Sequence, residues 1–255
     1  MSNTEAKLSP YKSFVLGVVF SLLLAFSIGF FVLLFSADGG VKSFMAGKQN
    51  IEKFDEANAR GFGGGQDDGI NIRPVTSSDH IRGDLSKAEV VLVEYSDMEC
   101  PFCKRFHFTL KQIKDEYGDK FAWVYRHFPL DNLHPKARKE AQASECAAEL
   151  GGDEAFWQFL DKVFEITPSN NKLDLNKLPE IAAEIGLDVD EFNKCLSSGK
   201  FADKVQADYD DAVASGGRGT PHSILISKSG EKVPVKGAVP SEQLRSLIDS
   251  LIKIK

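Results

Sequence analysis

Cysteine is scarce in this chain, with four among 255 residues. So few exclude a small disulfide-dense scaffold, and in an oxidising compartment at most two pairs close. A structural zinc site is equally poorly provided for. Cys100 and Cys103 make a C-x-x-C, but a zinc site needs a second ligand pair at matching spacing, and Cys146 and Cys195 stand alone. His107, one turn beyond Cys103, is expected at the surface, and no metal is expected. Positive charge is also short: 31 Lys and Arg against 37 Asp and Glu leave a net charge of -6. That argues against a nucleic-acid partner, which requires a basic face.

One stretch lacks charge altogether. Phe14 to Phe35 is an apolar run of about 22 residues, roughly 33 Å as a helix, against a bilayer core of about 30 Å. A cleaved signal peptide has a shorter apolar core and ends in an A-x-A-like site, which Phe35-Ser36-Ala37 matches poorly. The expectation is a short cytoplasmic tail over 1–13 and an uncleaved transmembrane anchor over 14–35. Between Ala37 and about Ser78 no sustained core-forming pattern occurs. Lys42 to Ala59 reads as a short juxtamembrane helix. Arg60 to Gly69, rich in glycine, reads as a flexible linker that gives reach. Residues 36–78 are therefore assigned to a juxtamembrane segment and linker, and 79–255 to the folded domain.

Within that domain, Val90 to Tyr95 has the apolar pattern of a mostly buried strand. Phe102, Phe106, Leu110, Ile113 and Tyr117 then recur at helical steps, with Lys104, Arg105, Lys111 and Lys114 on the other face. The two cysteines fall at the junction, in the first helical turn. Free N–H groups and the positive end of the helix dipole stabilise negative charge there, and a thiolate is the species that attacks a disulfide. Cys100 is thus the expected nucleophile and Cys103 its resolving partner. Pro101 is cheap at this position because its missing N–H would go unused. Phe121 to His127 is a second strand by its aromatic and β-branched content, and strand–helix–strand over so short a span predicts a parallel pair.

The period then turns helical. His134–Leu150, Asp153–Ile166, Leu175–Ile185, Val189–Leu196 behind an Asp188/Glu191 capping box, and a stripe of Phe201, Val205, Tyr209 and Ala212 closed by Gly216-Gly217 form a helical block over about 134–217. Strand pattern returns at His222–Ser227 and Lys232–Lys236, and a last helix carries Leu244, Leu247, Ile248 and Leu251.

The run Glu94-Tyr95-Ser96-Asp97-Met98-Glu99-Cys100-Pro101-Phe102-Cys103, with Tyr125-Arg126-His127-Phe128-Pro129-Leu130, His134-Pro135 and Thr220-Pro221, resembles the DsbA-like thiol:disulfide oxidoreductases of the thioredoxin superfamily, in their membrane-anchored, BdbD-like form. The resemblance runs from about Asp79 to the C-terminus. It implies an α/β thioredoxin fold with an inserted helical domain, preceded by a single transmembrane helix. It implies a redox-active Cys100–Cys103 disulfide with no other cofactor, and tuning of the potential by Pro101 and Phe102. The strongest oxidases of the family carry histidine in place of Phe102. Phe102 cannot donate a hydrogen bond to the thiolate, which argues against a potential as high as about -120 mV, while the helix terminus at Cys100 argues for one above about -270 mV. Glu94 corresponds to the family's buried proton-relaying acid; the other reading is a strand-end glutamate facing solvent. Glu99 is expected to be exposed. Thr220 and Pro221 correspond to the cis-proline loop that binds substrate backbone.

Some relatives carry a second cysteine pair, which makes Cys146 and Cys195 a structural disulfide; otherwise they are two small buried thiols. Trp123, His127 and His134 are read as structural. The implied activity is extracytoplasmic oxidation of dithiols in exported proteins by a monomer at the cell membrane, recharged by a DsbB- or vitamin-K-epoxide-reductase-like membrane oxidase. The alternatives are a reductase or isomerase, although isomerases of the superfamily usually carry a dimerisation domain, and a non-catalytic anchored chaperone or binding module.

Overall fold

The computed structural model describes residues 69–253. The expected tail, the Phe14–Phe35 anchor, the Lys42–Ala59 helix and the linker up to residue 68 lie outside the described residues. Among those that are described, no helix is long and apolar enough to cross a membrane.

Five strands form one sheet in the order β1-β3-β2-β4-β5, comprising β1 (His80–Arg82), β2 (Val90–Ser96), β3 (Phe121–His127), β4 (His222–Ser227) and β5 (Lys232–Lys236). Every residue of β2, β3 and β4 is buried, as their apolar runs require. β2 and β3 pair in parallel, joined by helix α1 (Pro101–Tyr117). The other pairings, β1 with β3, β2 with β4 and β4 with β5, are antiparallel. β1 was not anticipated from the sequence. It is three residues long and pairs His80, Ile81 and Arg82 with Tyr125, Val124 and Trp123.

The helical block separates the two halves of the sheet in sequence. It consists of α2 (Ala137–Ile166), α3 (Lys177–Glu184), α4 (Val189–Ser198) and α5 (Ala202–Ala214). α2 is two helices in series. Gly152 interrupts it at φ 74°, in the left-handed region that glycine enters without Cβ strain, which accounts for the two periodic segments read from the sequence. Asp188 caps α4 by accepting from the Glu191 N–H at 3.0 Å. Cys146 of α2 and Cys195 of α4 are joined in a disulfide, with Cα atoms 5.8 Å apart. The terminal helix α6 (Ser241–Lys253) returns to the sheet.

Alternation along the strands splits the core in two. Val90, Leu92, Phe121, Trp123 and Leu225 share one cluster with α1, α2 and α6, while Val91, Val93, Tyr95, Val124, Ile224 and Ile226 share the other with Ala212 of α5. Ile72 and Val75 belong to this second cluster. Arg73 reaches α5 through Nη2 to Asp208 Oδ1 at 2.6 Å. The folded domain therefore begins before Asp79, and the end of the expected linker is part of it. Arg126 of β3, fully enclosed, locks that arm down. It pairs with Asp79 at 2.7 and 2.9 Å and with Asp211 at 2.7 Å, and it donates to the carbonyls of Arg73 and Pro74. A buried guanidinium is tolerated because each face of its fork meets an acceptor.

Candidate active site

Cys100 stands at the N-cap of α1 in extended conformation, with Pro101 opening the helix. Both cysteines are free thiols. Cys103 is wholly enclosed, and Cys100 retains 4% of its surface, whereas the Phe102 ring between them is 54% exposed. Approach to the pair is therefore at Cys100, beside Phe102.

A loop distant in the chain and the segment just before α1 both meet the pair. The Thr220–Pro221 bond is cis, and the Cys100 thiol donates to the Thr220 carbonyl at 3.5 Å. The loop before Thr220 is pressed onto α5: a Cβ on Gly217 would lie 2.7 Å from the Ala212 carbonyl and 3.1 Å from the Phe128 ring, so a larger residue would push the proline loop away from Cys100. A groove of about 370 Å³ runs along this loop, lined by Arg218, Thr220, Pro221, His222 and Lys236. On the other side of the pair, the Asp97 N–H points at Cys103 Sγ at 3.5 Å.

The two thiols have opposite character. Cys100 is pulled down to about 6, chiefly because the Cys103 thiol hydrogen-bonds to its sulfur; the Thr220 side chain and the Phe102 and Cys103 N–H groups of the first helical turn act in the same direction against burial. The neighbouring thiol thus outweighs the helix N–H groups on which the sequence reading relied. Cys103 is pushed up by burial and then by the negative charge that Cys100 and Glu94 carry when ionised.

Glu94 lies inside the protein on the α1 face of β2, aligned with Val90 and Leu92, and does not face solvent. Its Oε2 accepts from Trp123 Nε1 at 3.0 Å, and Oε1 has no partner among the described residues. Burial raises it to about 8 against the pull of that hydrogen bond. A carboxyl so placed is neutral at pH 7 and holds a proton on the Cys103 side of the site.

Two sequence expectations are corrected. His107 is not at the surface; it is enclosed, with Nε2 2.7 Å from Asp161 Oδ1 and its ring against Trp123 and Phe164. Glu99 is not exposed either. It is buried, and its Oε2 accepts from the Asn171 N–H. A residue that sequence reasoning missed is Asp97. Its Oδ1 takes the Glu99 N–H at 2.8 Å, and its Oδ2 takes the Leu130 N–H at 2.8 Å and His134 Nδ1 at 2.9 Å. Those bonds fix the turn that delivers Cys100 to the helix, and an acid three residues before a helical cysteine was the available signal. His127, Glu145 and Asp208 approach one another closely enough to share a metal. Lys204 Nζ already lies 2.9 Å from Glu145 and 3.8 Å from Asp208, and His80 Nε2 lies 3.2 Å from Glu145, so resident cations answer these carboxylates.

A family model described as thioredoxin matches residues 76–250. Among solved structures, DsbA2 of Pseudomonas aeruginosa is 31% identical with a TM-score of 0.57, the match covering 68% of this chain and 94% of that one. Wolbachia pipientis α-DsbA1 is 27% identical with a TM-score of 0.60, over 70% of this chain and 92% of that one. BdbD of Bacillus subtilis superposes with a TM-score of 0.63 over 72% of this chain and 98% of that one, but at 20% identity this likeness bears on the fold alone. Among curated proteins, the Na(+)/H(+) antiporter NhaA 1 of Mycolicibacterium vanbaalenii is 36% identical over 153 residues, 59% of this chain and 24% of that protein. The chain thus spans about a quarter of the length of the curated relatives it matches.

Proposed function

The chain belongs to the thioredoxin family, and from that premise we propose that this thiol:disulfide oxidoreductase works outside the cytoplasm as a dithiol oxidase for exported proteins. The observation that carries the reading is the asymmetry of the pair. Cys100 is a low-pKa thiol at the rim beside a cis-proline loop, and Cys103 is a high-pKa thiol in the interior beside a protonated acid.

In the oxidised enzyme, a substrate thiolate attacks Cys100 Sγ. The Cys100–Cys103 bond breaks, a substrate–Cys100 disulfide forms, and the electron pair departs on Cys103, which takes a proton from Glu94. A second substrate thiolate then attacks the substrate sulfur of the mixed disulfide. Cys100 leaves as a thiolate, favoured by its low pKa, and the substrate has lost two electrons to the enzyme. Thr220 and Pro221 hold the substrate backbone during both exchanges. Stabilisation of the Cys100 thiolate argues for a potential above about -270 mV, and Phe102, an apolar contact with no hydrogen bond to give, for one below about -120 mV.

Recharging falls to a DsbB- or vitamin-K-epoxide-reductase-like membrane oxidase, and the apolar Phe14–Phe35 run would hold the monomer at that membrane. The test is to give the oxidised protein a reduced, unfolded multi-cysteine substrate. Stoichiometric disulfide formation, lost in Cys100→Ser, is expected. Mere reshuffling of scrambled disulfides, or their reduction with an added electron donor, would reverse the direction assigned here. No reaction at all would favour an anchored binding module.

A further inference from the structure

The two acids Glu99 and Glu140 are both buried, yet neither has a role in the exchange chemistry above. Glu99 immediately precedes the nucleophile, and Glu140 sits in the first turn of α2. Glu99 is held at three points. Its N–H donates to Asp97 Oδ1 at 2.8 Å, its carbonyl accepts from the Asn170 N–H at 2.7 Å, and its Oε2 accepts from the Asn171 N–H. Three oxygens are left without a donor among the described residues, namely Glu99 Oε1 and both carboxyl oxygens of Glu140. The Glu140 side chain lies within hydrogen-bonding reach of the Glu99 side chain.

Two ionised carboxylates in contact inside a protein repel too strongly to persist, so such a pair holds one proton. The donors decide where it sits. The Asn171 N–H occupies Glu99 Oε2, whereas no donor reaches either oxygen of Glu140. Glu140 is therefore the protonated member and donates to Glu99 Oε1.

Lys136 is the one cation that opposes the rise of Glu140, and its ammonium is committed elsewhere. The loop before α1 contributes Asp97, already engaged with His134 and two backbone N–H groups. On the α2 side, Lys136 Nζ donates to the Leu173 carbonyl at 2.6 Å and Lys139 Nζ to the Leu196 carbonyl at 2.8 Å. The third wall is Ser169-Asn170-Asn171, three consecutive residues with φ of 62°, 54° and 64°. Non-glycine residues enter this region at a cost, and here the turn aims two successive N–H groups at Glu99.

We propose that Glu99 and Glu140 are positioning residues of the redox site, sharing one proton that clasps the segment carrying Cys100 to the start of α2 and to the 169–171 turn. Burial and the adjacent Glu99 and Asp97 carboxyls raise Glu140 to about 9. The clasp is therefore closed at neutral pH and opens in alkali, when both acids ionise and repel. The functional part of the inference rests on Cys100 being the reacting thiol; the shared proton does not.

Two readouts separate those parts. The first is the infrared C=O band of protonated carboxyls in the intact protein at pH 7. Wild type shows buried protonated Glu94 and Glu140; Glu140→Gln removes one contribution, and Glu94→Gln with Glu140→Gln removes both. The second is the rate of Cys100 alkylation by iodoacetamide from pH 5 to 10, assigned by peptide mass spectrometry. Wild type shows a step near 6 from the thiol and a second rise centred near 9 as the clasp opens. Glu140→Gln, whose amide donates to Glu99 at any pH, keeps the first and loses the second. Glu140→Ala, with no donor, has the open-clasp rate at every pH above the first step.

If Glu140→Ala fails to fold, Glu140→Gln still decides. An unchanged band at pH 7 in Glu140→Gln would overturn the shared proton. A high-pH rise retained in Glu140→Gln would overturn the positioning role. A Cys100 that is inert in every variant would refute the oxidoreductase reading and the positioning role with it, while the infrared result would still stand or fall by itself.

Discussion

Glu94→Gln tests the buried acid beneath the redox pair through stability, independently of turnover. The carboxyl is enclosed and raised from 4.5 to about 8 by burial. A folded-state pKa above the unfolded value gives stability that is fully present below about 4.5 and is lost as pH rises through 8, because the folded state holds a proton that the unfolded chain has released. At about 1.4 kcal/mol per unit, the loss at pH 7 is about 3 kcal/mol. Glutamine keeps the oxygen that accepts from Trp123 Nε1 and carries no charge in either state, so it escapes that loss. Its second amide N–H is left without an acceptor, costing about 1 kcal/mol.

The expected outcome is a protein about 2 kcal/mol more stable than wild type at pH 7, with no gain at pH 4.5. Urea denaturation in a Cys100→Ser, Cys103→Ser background, at pH 4.5, 6, 7 and 8.5, would read this as a rise in midpoint of about 1 M at pH 7 with unchanged m. Glu140 contributes a slope of the same sign, since it too is raised, so the variant flattens the pH dependence without abolishing it. If Glu94→Gln and wild type lose stability in parallel from pH 4.5 to 8.5, Glu94 is ionised in the folded protein and cannot supply a proton to Cys103.

Three further outcomes are expected. In the reduced protein Cys100 alkylates with an apparent pKa near 6 while Cys103 stays unmodified across the same range; earlier modification of Cys103 would invert their roles. Cys146→Ala with Cys195→Ala opens a cross-link spanning 49 residues, worth about 4 kcal/mol in the chain-entropy model. Under oxidising conditions its Tm should fall by about 10 °C, and an unchanged melt would deny the bridge a stabilising role. Arg126→Met strands Asp79 and Asp211 without their buried partner and should cost about 3–5 kcal/mol by chemical denaturation; a loss under 1 kcal/mol would show that water reaches the pair.

What the sequence made legible follows the range of the interactions involved. β2, β3 and β4 could be bounded because buried strands are written in consecutive apolar and β-branched residues, and the more exposed β5 because Val233 and Val235 alternate with polar neighbours and proline. The junction carrying Cys100 and Cys103 was legible because a strand, two cysteines and a helix are adjacent in the chain. β1 was not: His80-Ile81-Arg82 has no alternation to read, and its place is set by pairing with β3. The arm at Ile72 and Val75 is too short to show a sustained pattern, and Arg126 and α5 hold it in place.

The acids show the same limit more sharply. A charge in a periodic pattern reads as solvent-facing unless something answers it, and the answering groups are far away in sequence. Trp123 for Glu94, Asp161 for His107, and Glu140 and Asn171 for Glu99 are separated from their partners by 29, 54, 41 and 72 residues. The helical stripe was read rightly at Phe106, Leu110 and Ile113 but wrongly at Phe102, for this reason. With Asp161 to receive it, His107 turns inward along with Cys103, Phe106 and Leu110, and Phe102 is left at the surface. That placement is what makes the site work as proposed. It buries the resolving thiol above a neutral acid and sets an apolar ring, with no hydrogen bond to give, beside the thiol that meets the substrate.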